Sequence, residues 1–175
     1  MEELLEVVTE EGNPTGEILS RDEIHNKNLL HNEIAVFVIN KEGLVLLQKR
    51  AATKTSNPLC WGSSCAGHVG VSESLEEATL RELKEELGMD INMDQLHILV
   101  YKKLRKGDKN SHIRTWYYVK TDFNISDFRI QKEELDEIRW FTIDEVISSV
   151  GDSHFTFKQD SLVAILRLKE ILQKK

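Results

Sequence analysis

Residues 65–89 read CAGHVGVSESLEEATLRELKEELGM, and the fold turns on this stretch. A glycine-rich turn leads into a helical pattern over 74–87. Leu80, Leu83 and Leu87 form its apolar stripe, with Glu82, Glu85 and Glu86 expected away from it. Gly88 stands where a C′ glycine ends a helix. Glu82 and Glu86 are four residues apart and Glu82 and Glu85 three, so a helix gathers these carboxylates on one patch. Their mutual repulsion asks for a cation. Oxygen donors without thiolate suit a hard ion such as Mg2+ or Mn2+, which also takes ligands from substrate phosphates. The three glutamates therefore read either as a metal platform for a diphosphate or as a solvated acidic face.

The bulk numbers narrow the setting. The chain has 175 residues, 40% hydrophobic and 30% charged, which fits a single soluble domain over 1–175. A net charge of −7 argues against nucleic acid as a partner but not against a small anionic substrate beside a bound metal. The longest apolar run, IAVFVI at 34–39, is too short to span a bilayer, so no membrane partner is expected. Residues 1–12 lack the basic and apolar regions of a signal peptide. Cys60 and Cys65 then read as free thiols and the location as cytoplasmic.

Along the chain, 4–8 and 16–20 read as a hairpin, and Ser20 with Glu23 as the capping box of a helix to about residue 30. EIAVFVIN and LVLLQKR are strands joined by a turn at 41–43, the first apolar on both faces and hence central. The stretch 51–63 is loop, entering a strand near Ser63. LHILVYKKL and IRTWYYVKT are strands around the turn RKGDKNS, and EIRWF is a short strand. Thr142 with Glu145 caps a helix to about residue 150. A final amphipathic helix buries Leu162, Ile165, Leu168 and Leu172. Without regular βαβ alternation, this order points to an α+β domain with a mixed sheet.

Gly67, five residues, Glu73, seven residues, then Arg81-Glu82-Leu83-Lys84-Glu85-Glu86-Leu87-Gly88-Met89 resembles the Nudix box at every defined position. Such a pattern arises by chance on the order of 10⁻⁸ per starting position. The resemblance implies an α/β/α sandwich with a loop–helix–loop box, and hydrolysis of a nucleotide or other organic diphosphate with Mg2+ (or Mn2+). It implies that Glu82, Glu85 and Glu86 hold the metal, with the Gly67 carbonyl as a further ligand. Arg81 would pair with Glu73 and brace the loop. The base would be a box carboxylate or one of Glu133, Glu134 and Glu137, which otherwise read as a solvated loop.

Most of the chain, about 3–165, also resembles the branch related to type I isopentenyl-diphosphate isomerase. The runs HNKNLLHNEIAVFVIN, LVLLQKRAATKTSNPLCWGSSCAGHV, IRWF and FTFKQDS carry that likeness. The isomerase works with a cysteine and a glutamate on opposite sides of its substrate, and holds a metal with three histidines and two glutamates. His25, His31 and His68 stand at related places. Three departures separate this chain from it. The catalytic cysteine position is Ala66, with Cys65 one residue earlier and so turned to the other strand face. The segment 112–118 has no glutamate. His25 and His31 are one residue closer together. These departures favour a hydrolase over an isomerase, with a non-catalytic diphosphate-binding module as a third reading that the complete box disfavours.

Arg50 and Lys54 match basic residues that contact the diphosphate in the isomerase, and Arg offers two-point geometry to phosphate. His68, in the box loop, is a further substrate-binding candidate. For His25 and His31 the default is a structural hydrogen-bonding role, with a second metal left open. Trp61 and Trp116 read as core or as a stacking surface, and Trp140 as core. Substrate choice falls to the loops 51–60, 105–112 and 151–158. A monomer and a homodimer both remain open.

Overall fold

The computed structural model describes residues 2–106, 110–157 and 161–174. The turn expected at 105–111 falls partly on 107–109. The FTFKQDS run, the loop 151–158 and the start of the last helix fall partly on 158–160. Those portions lie outside the described residues.

β1 (Leu4–Val8) and β2 (Pro14–Ser20) form a separate antiparallel hairpin. α1 (Arg21–Asn26) starts at the expected capping box, with Ser20 and Glu23 exchanging hydrogen bonds. It stops well short of residue 30. Asn28 takes a left-handed φ of 52°, Leu29 N–H donates to Ile24 O at 2.9 Å and Asn28 N–H to His25 O at 3.1 Å. This is a Schellman ending with asparagine in glycine's usual place. The early stop matters for the site, because it leaves only a short reversal between His25 and the next strand.

β3 (His31–Asn40) is the middle of a mixed sheet ordered β5-β4-β3-β8-β7, where β4 is Val45–Arg50, β5 Trp61–Gly62, β7 His97–Arg105 and β8 His112–Thr121. β3 runs parallel to β8 along its whole length, antiparallel to β4, and antiparallel to β6 (Cys65–His68). β9 (Leu135–Phe141) pairs with β4. Residues 33–39 of β3 are all buried, as expected of a strand covered on both faces.

Alternation along β3 splits the core in two. Ile34, Val36 and Val38 pack with Leu83 and Leu87 of α2 (Leu75–Leu87). Ala35, Phe37 and Ile39 pack with Val146 of α3 (Ile143–Ser148) and with Ala164, Ile165 and Leu168 of α4 (Leu162–Gln173). Each buried Val, Leu, Ile or Phe among them contributes about 1.5–3 kcal/mol through burial. Helices thus cover both faces of the sheet, the sandwich the sequence implied. Among the described residues no helix is long and apolar enough to cross a membrane.

α2 carries the box. Ser74 and Glu77 form its capping box, and Gly88 ends it at φ 66°. The expected stripe needs one correction: Glu86 is only 6% exposed and shares the buried face with Leu83 and Leu87. Three residues advance a helix by about 300°, so Glu86 stands about 60° from Leu83.

Candidate functional site

The loop before α2 is held by one residue. Arg81 grips Glu73 through Nε to Oε1 at 2.8 Å and Nη2 to Oε2 at 3.0 Å. It also donates to His68 O at 3.1 Å and to Glu82 Oε1 at 2.7 Å. Glu73 Oε2 accepts from Gly70 N–H at 2.8 Å, closing the loop. Burial alone would raise the Glu73 carboxyl. The Arg81 and Gly70 hydrogen bonds outweigh it and hold the group below its ordinary value.

Beneath β6, on the α2 side, ligand atoms of Cys65, Glu82 and Glu86 all lie within 4.8 Å of one another. Gly67 makes this approach feasible, since a Cβ there would sit 2.2 Å from Glu82 Oε1 and 2.3 Å from its Cδ. Gln48 donates from Nε2 to Glu86 Oε2 at 3.3 Å. Burial, then the charge of Glu82, pushes the Glu86 carboxyl up to about 8. Burial also raises Glu82, against the pull of Arg81. Two desolvated carboxylates with a single arginine among them form a donor set that suits a hard divalent cation. Glu85 is not gathered in: its side chain is 55% exposed and lies 3.3 Å from Arg81 Nη1.

The raised Glu86 carboxyl predicts how stability varies with pH. The folded chain keeps this proton to about 8, while an unfolded glutamate releases it near 4.5. The stabilisation is therefore complete below 4.5 and is lost as pH rises through 8. His112 acts in the opposite sense. Burial lowers it from 6.5 to about 3, so its contribution is lost only as pH falls below 6.5. Between pH 6.5 and 8 the metal-free protein is expected to lose about 2 kcal/mol, or about 5 °C of melting temperature. Glu86→Gln should flatten that slope in a calorimetric series with chelator. An unchanged slope would refute the assignment.

Register places a second group on the opposite face of β6. His68 pairs with Glu33, and Glu33 with Arg114. The rings of His25, His31 and His68 have centroids 5.1–5.4 Å apart, and their ligand nitrogens lie within 4.8 Å of one another. His31 Nδ1 faces Leu29 O at 3.2 Å and His68 Nδ1 faces Glu3 Oε1 at 2.9 Å. Acceptors at Nδ1 turn Nε2 of both rings toward the middle of the group, where Glu33 Oε1 also lies. Nε2 of His25 is buried without a hydrogen-bond partner among the described residues, and that of His31 faces Glu33. This convergence goes beyond the structural role taken as the default for His25 and His31, and imidazole nitrogens suit Mn2+ or Zn2+.

Glu33 completes the group. Its Oε1 lies 3.4 Å from His31 Nε2, 3.7 Å from His68 Nε2 and 3.5 Å from His112 Nδ1. Its Oε2 accepts from Arg114 Nη2 at 2.5 Å. Burial pushes this carboxyl up, but Arg114, His31 and His112 hold it well below the usual range. Sequence reasoning missed Glu33. The available signal was an acid opening an apolar strand two residues after His31, on the same face.

A cavity of about 710 Å3 opens over this face, with His25, Glu33, Arg50, His68, Arg114 and Trp116 among its walls. Gly67 and Gln48 line it too, and Gln48 in turn bonds Glu86, which is not itself among the cavity walls. Ala66 faces the cavity, whereas Cys65 is fully buried on the α2 side, as the strand slip implied. Arg50 donates from Nε to Ser56 O at 2.9 Å. Lys54 is not brought to the cavity wall; its ammonium pairs with Glu134. Of the later acids, Glu134 lies near enough to raise Glu86, while Glu133 and Glu137 are exposed. Trp116 stacks on Phe37 at 5.2 Å, Trp61 lies under Arg139 and against Phe141, and Trp140 packs on the α2-side core.

Comparisons with known proteins bear on the family and the fold. The family model described as NUDIX domain matches residues 29–160. Isopentenyl-diphosphate Delta-isomerase 2 of Photorhabdus laumondii is 42% identical over 101 residues, 58% of this chain and 56% of that protein. An uncharacterized Nudix hydrolase of Nostoc is 32% identical over 130 residues, 72% of this chain and 76% of that protein. The matches to this isomerase and to that of Serratia proteamaculans span 56% and 66% of those proteins' lengths. The crystal structure of DR0079 from Deinococcus radiodurans superposes with a TM-score of 0.75, covering 95% of this chain and 99% of that one. At 22% identity that match shows a shared fold.

Proposed function

This chain belongs to the Nudix domain family, and from that premise we propose that it is a metal-dependent hydrolase of a small organic or nucleoside diphosphate. The observation that carries the reading is the pair Glu82 and Glu86, desolvated under Gly67 and braced by the Arg81–Glu73 clamp. A bound Mg2+ or Mn2+ would supply Lewis-acid polarisation of the diphosphate and a more acidic water. Glu82, Glu86 and the Gly67 carbonyl would hold it. Arg81 and Glu73 keep those groups in place. Arg50 and His68, both on the cavity wall, receive phosphate oxygens in this reading. Glu86, or Glu134 beside it, takes the proton from the attacking water as the bridging P–O bond breaks. The ligand is a small molecule rather than nucleic acid, and the enzyme acts in the cytoplasm.

The histidine group and the isomerase relatives favour a second reading, an isopentenyl-diphosphate isomerase. Two observations weigh against it. Ala66 stands on the cavity wall where a thiol is needed, and Arg114 and His112 occupy the strand that should bear glutamates. Phosphorus and proton NMR with Mg2+ or Mn2+ separates the two. A mixture of nucleoside di- and triphosphates, and isopentenyl diphosphate separately, are expected to yield new phosphate resonances with at least one substrate. A changed allylic proton pattern on an intact diphosphate would replace the hydrolase reading.

A further inference from the structure

We propose that Cys65 is a third side-chain ligand of the Glu82–Glu86 site, so that this site binds thiophilic divalent ions such as Co2+, Zn2+ or Cd2+ through a thiolate. The proposal rests on the reading that Glu82 and Glu86 hold a metal, and it does not depend on which substrate is cleaved.

Three observations carry it. Cys65 pairs with Val36 and Gly67 with Ile34, so Cys65 and Gly67 share the face of β6 that meets α2. On that face the sulfur and one oxygen each of Glu82 and Glu86 are mutually within 4.8 Å. Cys65 packs among the apolar residues of the α2-side core, yet its sulfur also faces two carboxylates and hydrogen-bonds Glu86, a polar role beyond that of an apolar filler. The second observation concerns burial. Cys65 is fully buried and Glu86 is 6% exposed, so water is a poor source of partners for either. The third is Gln48, 4% exposed, whose amide reaches Glu86 through Nε2 at 3.3 Å while its Oε1 has no partner among the described residues. Turning that amide over presents an oxygen donor to the same point. Thiol, two carboxylates and an amide oxygen make a mixed soft and hard set.

The chemistry differs between ions. Mg2+ prefers oxygen and leaves the thiol protonated beside it. A thiophilic ion forms an S–metal bond as the S–H bond breaks, and the proton leaves to solvent. No oxidant or reductant takes part. The two kinds of ion compete for one place with different donor sets.

The test uses the full chain, stripped of metal and titrated with Co2+. A near-ultraviolet thiolate-to-cobalt charge-transfer band is expected in the wild-type protein and in Cys60→Ser. It should vanish in Cys65→Ser and in Cys65→Ala, two variants that guard against misfolding of either. By dialysis, Cys65→Ser should weaken Cd2+ binding by about tenfold or more while changing Mg2+ binding by less than about twofold. Co2+ binding without the band, or a band that survives in both Cys65 variants, would overturn the proposal. Mn2+ titration read by electron paramagnetic resonance tests the underlying reading separately. Mn2+ sites lost in Glu86→Gln, with no cobalt band, sink Cys65 alone. Mn2+ binding indifferent to Glu86→Gln sinks both.

Discussion

Glu86→Gln is expected to lower kcat/KM for metal-dependent diphosphate hydrolysis by about a thousandfold, roughly 4 kcal/mol of transition-state stabilisation. The substitution keeps the shape of the side chain and removes its charge. Gln48 Nε2 still finds an acceptor in the new amide, so the packing beneath β6 has no reason to collapse. Stability should move the other way from activity. A buried carboxylate that resists ionisation up to about 8 is a cost to the metal-free fold once charged, and the neutral amide avoids it. The variant is therefore expected to melt at or above the wild-type temperature at pH 8 in chelator while being nearly inactive with Mg2+. Glu85→Gln supplies the contrast. Glu85 is half exposed and meets Arg81 Nη1 at 3.3 Å, a longer contact than the 2.7 Å one that Glu82 makes with the same atom, so its loss should cost less than about tenfold. Steady-state kinetics on both variants decides the matter. Equal losses would mean that Glu85 swings inward and that the ligand set named by the family resemblance is the working one. A fully active Glu86→Gln would remove the box pair from the chemistry.

What the sequence made legible was whatever depends on neighbours along the chain. The box helix is such a case: Ser74 and Gly88 fix its ends, and i,i+3 and i,i+4 spacing fixes which side chains meet. Even there, one angular step was misjudged, and Glu86 proved to be on the buried face. Contacts made by sheet register were much harder to read. Glu33 owes its role to Arg114 and His112 on a strand that runs parallel to its own, about eighty residues later. No local pattern announces a parallel pairing. The histidine group depended on a turn: had α1 run to residue 30 as expected, His25 would have been carried away from His31. Asn28 in the left-handed region prevents that. Lys54 was expected at the diphosphate because it matches a basic residue that contacts the diphosphate in the isomerase, yet Glu134 captures it from a distant loop. Long side chains at loop positions answer to whichever charge the tertiary fold brings near, and linear spacing does not encode that.

Gly67→Ala should cost about a hundredfold, within a factor of about ten of losing Glu86, although it adds a single methyl group. The added Cβ would lie 2.2 Å from Glu82 Oε1, 2.3 Å from its Cδ and 2.8 Å from its Cγ. Real Cβ atoms do not approach so closely, so the obstruction involves most of the side chain rather than its tip. Two responses are available. Glu82 can leave, which breaks its 2.7 Å contact with Arg81 and opens the pair with Glu86. Otherwise β6 must lift from α2, which disturbs the 3.1 Å bond from Arg81 to His68 O and the pairing of Gly67 with Ile34. The first is cheaper, because one side chain moves and no backbone pairing is lost. The expected variant is therefore folded, binds Mn2+ about a hundredfold more weakly and loses hydrolysis in proportion. High Mn2+ should restore part of the rate, since the defect lies in holding the ion. A second substitution, Glu82→Ala in the Gly67→Ala background, separates the two responses. If the methyl acts only by expelling Glu82, the double variant binds Mn2+ no worse than Gly67→Ala alone. A further drop in the double variant would show that Glu82 still ligates beside Ala at position 67. Wild-type Mn2+ affinity in Gly67→Ala would contradict the close packing of the box helix against β6 on which the Glu82–Glu86 pair depends.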